Sequence, residues 1–249
     1  MKKSNYSYVG IALVILVFGI IFIPRIVDRI SNKDITREES RSKKVSTQIT
    51  DSTELEYLVI NGEKKKVPEF SFTDQNGNTI TNKDYLGKVY IVEFFFTTCP
   101  TICPRMSKNL VDIQNNFPNS KDFGIASFTI NPEYDTPDIL KQYAETYGVT
   151  NPNWHFLTGD MDAIYKLANE GFNLYAAQDD EAAGGFEHSG NFALIDRDGY
   201  IRSRTDPYGN PMIYYKGIIS EAEMYDEDGT EQEISILKED IAKLLNEDE

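Results

Sequence analysis

Residues 88–104 read Lys88-Val89-Tyr90-Ile91-Val92-Glu93-Phe94-Phe95-Phe96-Thr97-Thr98-Cys99-Pro100-Thr101-Ile102-Cys103-Pro104. The first half, Lys88 to Phe96, is a nearly continuous run of β-branched and aromatic residues. Such a run predicts a strand buried on both faces. The second half is a prolyl turn. After it, Cys103, Met106, Leu110, Ile113 and Phe117 recur at steps of 3, 4, 3 and 4, which is one face of a helix. A fully buried strand feeding a helix through a tight turn is the repeating unit of an α/β sheet.

Working outward, the pattern continues. Val67 to Phe72 and Thr79-Ile80 flank Asp74-Gln75-Asn76-Gly77-Asn78, a hairpin signal around an Asn-Gly turn. Phe123 to Ile130 predicts the next strand. Thr136-Pro137-Asp138 supplies a helix cap, an N1 proline and a first-turn acid, and Gly148 ends that helix. Trp154 to Leu157 is a short apolar stretch, Asp160 caps a third helix ending at Gly171, and Phe192–Ile195 with Tyr200–Ser203 flank a second turn, Asp196 to Gly199. Ile234, Leu237, Ile241 and Leu244 mark a last amphipathic helix. The alternation predicts an α/β sheet with helices on both faces. Residues 204–232 fit no clear element and read as an insertion.

Cys99 and Cys103 are the only two cysteines in 249 residues. Four positions apart at a helix start, their side chains are expected about 5–6 Å apart, where the positive helix N-terminus favours thiolates. Two such thiolates can close a disulfide or hold a soft metal. A structural zinc would call for more protein ligands than two thiols; their softness suits copper(I), and an added imidazole would suit copper(II). Cys103 also lies on the apolar helix stripe, where a plain core cysteine would sit. C-x-x-x-C alone does not separate metal binding from redox work. His188, in Gly184-Gly185-Phe186-Glu187-His188-Ser189-Gly190, is the natural third ligand, on a loop that the flanking glycines predict to be mobile. His155, between Trp154 and Phe156, reads as structural.

Composition excludes other classes. Two cysteines and two histidines are too few for multi-zinc domains, iron–sulfur cages or a disulfide-dense scaffold. Forty acids against 25 bases leave a net charge of −15, which a nucleic acid would repel. Residues 221–249 hold twelve acids against Lys238 and Lys243, so they carry ten of those fifteen charges. The acidity is thus partly a property of the tail, and we assign it mainly to solubility. At the other end, Lys2 and Lys3 precede an apolar run from Tyr8 to Ile23 with no small-residue cleavage pattern at its end. The reading is an uncleaved single-span anchor within residues 1–30, a polar linker over 31–56 and a globular domain over 57–249 on the non-cytoplasmic side.

These motifs together resemble the Sco/SenC family of membrane-tethered, thioredoxin-like copper proteins. The matching residues are Phe94-Phe95-Phe96-Thr97-Thr98-Cys99-Pro100-Thr101-Ile102-Cys103-Pro104, Asn131-Pro132-Glu133-Tyr134-Asp135-Thr136-Pro137, Trp154-His155-Phe156-Leu157-Thr158-Gly159, and His188 followed by Phe192-Ala193-Leu194-Ile195-Asp196. The resemblance implies a thioredoxin-like fold, copper as Cu(I) or Cu(II) held by Cys99, Cys103 and His188, and a place in a bacterial inner membrane. Its implied role is to deliver copper to the copper-site subunit of cytochrome c oxidase, or to reduce that site's thiols. The chain departs from the family at Asn131, where Asp is usual, and at Tyr134, where Arg is usual. One charge of each sign is therefore missing from this loop. Asp135 remains as a group behind the site or as a simple helix-start residue.

Three function classes stand. The first is a copper-carrying assembly factor, a metallochaperone rather than an enzyme. The second is a thiol–disulfide oxidoreductase using Cys99 and Cys103, with a thiol-reducing partner. The third is a thiol peroxidase, which would leave Cys103 and His188 unexplained.

Overall fold

The computed structural model describes Leu16, Phe18 and residues 55–118, 120–179, 181–205 and 211–247. Leu16 and Phe18 are helical. Among the described residues no helix is long and apolar enough to cross a membrane. The anchor expected within 1–30 lies outside the described residues apart from those two, and so does all of the 31–56 linker except its last two positions.

The chain from Leu55 onward builds a nine-stranded sheet and two separate two-stranded ones, β2–β3 and β9–β10. The early strands are β1 (Glu56–Tyr57), the small hairpin β2 (Val59–Ile60) and β3 (Glu63–Lys64), and the hairpin β4 (Ser71–Asp74) and β5 (Thr79–Thr81). The Asn-Gly turn forms as read. Asp74 closes it by accepting the backbone N–H groups of Asn76 and Asn78 at 2.9 and 2.8 Å. Then follow β6 (Val89–Phe95), helix α1 (Cys103–Asn116), β7 (Phe123–Thr129), helix α2 (Pro137–Tyr147) and β8 (Trp154–Thr158). Strands β6, β7 and β8 are parallel neighbours, as crossover helices require. Helix α3 (Met161–Lys166) starts on the Asp160 cap and widens into a π-helical turn over Leu167–Phe172. Beyond it lie the short hairpin β9 (Ala176–Gln178) and β10 (Phe186–His188), then β11 (Asn191–Ile195), β12 (Ile201–Ser203), β13 (Tyr215–Lys216) and helix α4 (Ile234–Asn246).

The sheet order is β1-β12-β11-β6-β7-β8-β4-β5, with β13 added to the start of β11. Every residue of β6 and β7 is buried, as the apolar run predicts. Alternation along β6 sends Phe95 to one face, against Tyr143 of α2 and Phe156 of β8, and Phe94 to the other, against Phe128 and Phe172. Helices lie on both faces. The carboxyl ends of the parallel strands, where β6 meets the prolyl turn, are the usual place for a site in such a sheet.

Residues 204–232, which fit no clear element on sequence, do contain short ones. They carry β13 and two isolated bridges, Thr205 with Pro211 and Tyr225 with Glu231. Only 206–210 lie outside the described residues. The elements are too short for a periodic signal, and polar contacts hold the segment. Arg204 meets buried Asp240 at 2.6 and 2.8 Å, and the Tyr215 hydroxyl donates to the same carboxylate at 2.8 Å.

One buried group breaks the apolar pattern of β6. Glu93 is fully buried; its Oε1 accepts the Ser127 hydroxyl at 2.6 Å, and its Oε2 has no partner. Burial pushes its carboxyl up to about 7, with the Ser127 bond opposing. A carboxyl raised on folding keeps a proton that the unfolded chain loses above its ordinary value of 4.5. Stability therefore falls as pH rises from about 4.5 through about 7, by roughly 3 kcal/mol at most. Urea unfolding of wild type should show this fall, and Glu93→Gln should lack it. An identical pH dependence in both proteins would remove Glu93 as its source.

Candidate metal centre

The prolyl turn places the thiols. Beyond β6 the chain folds back so that the Cys99 N–H donates to Phe96 O at 3.3 Å. Helix α1 begins at Cys103, with Ile102 as its N-cap and no side-chain cap. Cys99 therefore precedes the helix instead of sharing its first turn, and the turn, not helical spacing, brings the sulfurs together. The uncapped N-terminus still acts as expected, since the backbone N–H groups of Thr101 and Cys103 stabilise the Cys99 sulfur. The turn is pinned from behind by Asp135. This fully buried carboxylate accepts the Thr97 N–H at 3.1 Å, the Thr97 hydroxyl and the Thr129 hydroxyl.

His188 arrives from the opposite side. It is the last residue of β10, in register with Ala176 of β9, and it is buried. Where the glycines predict a loop, the structure has a short paired strand. Gly184 and Gly190 permit close packing, while Gly185 (φ +84) faces open space. A Cβ on Gly184 (φ +88) would stand 2.8 Å from the Phe96 ring, and one on Gly190 (φ +67) 2.5 Å from Ile218. The His188 ring stands edge-on to Phe96, with centroids 6.1 Å apart.

The three residues singled out from sequence converge. One ligand atom each from Cys99, Cys103 and His188 lies within 4.8 Å of the others, and all three residues are buried. Cys103 Sγ is 3.0 Å from His188 Nε2. Both cysteines are free thiols. His155 stays apart, with Nδ1 3.1 Å from Asp74, which bears out its structural reading. Sequence reasoning assigned no role to Thr97 and Thr129, whose hydroxyls donate to Asp135 behind the turn; no local pattern marks such a contact.

The pair favours one negative charge. The nearby Cys103 thiol, then the His188 imidazole, lowers the Cys99 thiol well below the ordinary range. Burial, then the charge on Cys99, drives the Cys103 thiol far above it. Cys99 is the thiolate and Cys103 keeps the proton. A buried cluster of one thiolate, one thiol and an imidazole is a soft donor set that can take a thiophilic ion or close a disulfide.

The family model described as SCO1/SenC matches residues 60–223. The chain belongs to the SCO1/SenC family. Its match begins at the end of β2 and ends inside the 204–232 segment. The SCO1 protein homolog of Bacillus subtilis (strain 168) is 32% identical over 158 residues, covering 63% of this chain and 80% of the relative. The solved structure of BsSco, described as a member of the Sco family of cytochrome c oxidase assembly proteins with a disulfide switch, superposes with a TM-score of 0.58. It is 26% identical, covering 74% of this chain and 95% of that one. Bradyrhizobium japonicum ScoI, solved with copper bound, gives a TM-score of 0.50 at 27% identity, covering 57% and 89%. The α/β sheet described above is the thioredoxin-like fold of this SCO1/SenC family.

The split between the thiols is testable by alkylation. At pH 5, iodoacetamide should label Cys99 well ahead of Cys103 when followed by peptide mass spectrometry, because the thiolate is the nucleophile. Equal labelling would contradict the assignment of the charge to Cys99.

Proposed function

We propose that this chain is a copper-carrying assembly factor for cytochrome c oxidase. Cys99, Cys103 and His188 hold the ion, and the copper-site subunit of the oxidase receives it. The observation that carries this reading is the convergence of two thiols and one imidazole, all buried, with donor atoms within 4.8 Å of one another. Copper is cargo here. The donor set fits it: two sulfurs suit copper(I), and the imidazole extends the site to copper(II). The copper-bound relative and the assembly-factor relative support the same reading.

The roles of the residues follow from their settings. Cys99 is the less deeply buried of the two thiols and the one whose thiolate is favoured, so it takes the ion first. Cys103 gives up its proton as it ligates. His188 closes the site from a hairpin of three-residue strands, a marginal element in isolation. That hairpin is the part able to withdraw, so His188 leaves first and the ion passes by exchange of sulfur ligands. Asp135 touches no ion; it positions the turn through Thr97.

The apolar run from Tyr8 to Ile23 supports a single-pass anchor in a bacterial inner membrane, with residues 31–56 as a tether and the domain facing away from the cytoplasm. A second reading is favoured by one observation: both cysteines are free and their sulfurs lie within 4.8 Å. Closing them into a disulfide removes two ligands at once, so a thiol-reducing partner would return the chain to its copper-competent state.

The test uses the full chain in mild detergent, reduced and anaerobic. Wild type should bind one copper(I) per chain, and Cys99→Ser and Cys103→Ser should each lose it. His188→Ala should weaken copper(II) more than copper(I), and Asp135→Ala should lower copper(I) affinity about tenfold without changing the stoichiometry. Absence of stable copper, with a readily cycling Cys99–Cys103 disulfide, would transfer the function to thiol–disulfide exchange.

A further inference from the structure

Strand β9 pairs with β10 alone, so one side of it faces away from the hairpin. The ladder shows which backbone groups face that way. Ser189 N–H donates to Tyr175 O at 3.1 Å, and Asp179 N–H donates to Gly185 O at 3.0 Å. Hydrogen-bonded and non-bonded pairs alternate in an antiparallel ladder. Tyr175 and Ser189 form a bonded pair, so Ala176 and its register partner His188 form a non-bonded one. The N–H and C=O of Ala176 therefore point outward, away from β10. Ala176 is buried, at 3% exposure. Buried backbone groups require partners.

One side chain meets both. Asn169 Nδ2 donates to Ala176 O at 2.9 Å, and Asn169 Oδ1 accepts the Ala176 N–H at 3.2 Å. A primary amide presents a donor and an acceptor side by side, as the backbone of a further strand would. Nδ2 also donates to Tyr165 O at 3.0 Å, one turn back, which fixes the side chain on its own helix. Asn169 lies in the π-helical turn Leu167–Phe172, a departure from α-geometry that is frequent at functional sites. Leu167, Ala168, Gly171 and Phe172 of that turn are buried, whereas Asn169 is exposed. Its bonds to β9 can therefore be exchanged for bonds to water, and replacing it opens no hole in the core.

The amide grips β9 at the level of His188. Among the described residues no carboxylate or carbonyl is hydrogen-bonded to His188 Nδ1, the contact that usually orients a metal-binding imidazole. The position of the ring depends instead on the backbone of β10, which pairs with β9 alone, and on the edge-on contact with Phe96. The next outward-facing position of β9, Gln178, is exposed, so Ala176 is where the outer edge of the hairpin is held.

We propose that Asn169 is the positioning residue for His188: its amide stands in for a third strand, holds the β9–β10 hairpin closed on the thiols, and sets how readily the imidazole leaves an ion. This rests on the reading of Cys99, Cys103 and His188 as the copper ligands. With the amide bonds made, the hairpin is closed and His188 reaches the site. With those bonds exchanged for water, the hairpin carries His188 away, while Cys99 and Cys103 stay on the prolyl turn and α1. The effect is selective. Copper(II) is suited by the imidazole and senses the clamp; copper(I) is suited by the two sulfurs and senses it less.

The test uses the full chain in mild detergent, as wild type, Asn169→Leu, His188→Ala and the double variant. Asn169→Leu keeps the bulk of the side chain and loses both bonds to Ala176. Amide hydrogen exchange is read first, on the reduced, copper-free proteins. In Asn169→Leu the segment 175–189 should exchange about tenfold faster, with β6 and α1 unchanged. Copper(II) affinity should fall about fivefold, and copper(I) affinity should stay within about twofold of wild type. In the His188→Ala background, Asn169→Leu should change copper(II) affinity no further, because the residue it acts through is gone. Equal weakening of both ions, an additive loss in the double variant, or unchanged exchange in 175–189 would overturn the proposal. Absence of copper binding by wild type would overturn the functional reading instead, and hydrogen exchange would still decide whether Asn169 holds the hairpin.

Discussion

Asp135 accepts three hydrogen bonds from two strand ends: the N–H and hydroxyl of Thr97, just beyond β6, and the hydroxyl of Thr129, at the end of β7. Each is strengthened by the carboxylate charge and by burial. The knot fixes where β6 stops and how the next residues turn. Cys99 follows two positions later, and its N–H closes on Phe96 O. The place of Cys99, the start of α1 at Cys103 and the angle at which Cys103 faces His188 all descend from that turn. Removing the carboxylate would leave the half-buried Thr97 N–H and hydroxyl without this acceptor, and the buried Thr129 hydroxyl with only the Asn131 N–H that it accepts at 3.0 Å.

Electrostatics then divide the labour between two similar thiols. Cys99 sits at the open side, with backbone N–H groups and the Cys103 thiol directed at it, so it bears the charge. Cys103 is the more deeply buried, and burial together with the charge on Cys99 keeps its proton on. The site accommodates one negative charge readily and a second only with a cation between the sulfurs. That condition favours a thiophilic cation over an empty dithiolate.

Much of this was legible from residues alone. The apolar run of β6, the period of α1 and the Asn-Gly hairpin are strong local signals, and the structure follows them. The ligand trio was legible because both cysteines of the chain fall in one turn and His188 precedes a strand. The glycines around His188 predict a loop, and the structure makes His188 the end of a paired strand, with Gly184 and Gly190 permitting the close approach of Phe96 and Ile218. Glycine spacing does not distinguish these uses; only the neighbours do. Glu93 escaped notice because a single acid hardly changes the apolar average of a strand. Residues 204–232 escaped because two-residue strands and ion pairs leave no periodicity.

That segment changes the meaning of the acidic tail. Several of its acids, assigned mainly to solubility on sequence, also build local structure. Asp226 accepts the N–H groups of Asp228 and Thr230, closing a turn, and Glu233 accepts the Lys216 N–H beside β13. Glu221 and Asp112 share the Lys238 ammonium, and Glu223 meets Arg105 at 2.6 Å. Exposed pairs of this kind contribute little stability individually. Their placement matters more, because Arg105, Asn109 and Asp112 all lie on α1, and Asn109 also donates to Gly217 O. The segment thus braces the helix that carries Cys103, while Ile218 packs against Gly190 beside His188. With α1 held on its outer side by this segment and β9–β10 paired outside the main sheet, tied to it by Asn169 and by the Phe96 ring, the two walls of the site differ in how they are held. Ligand exchange at a buried centre needs one wall to yield, and the hairpin bearing His188 is the wall built to do so.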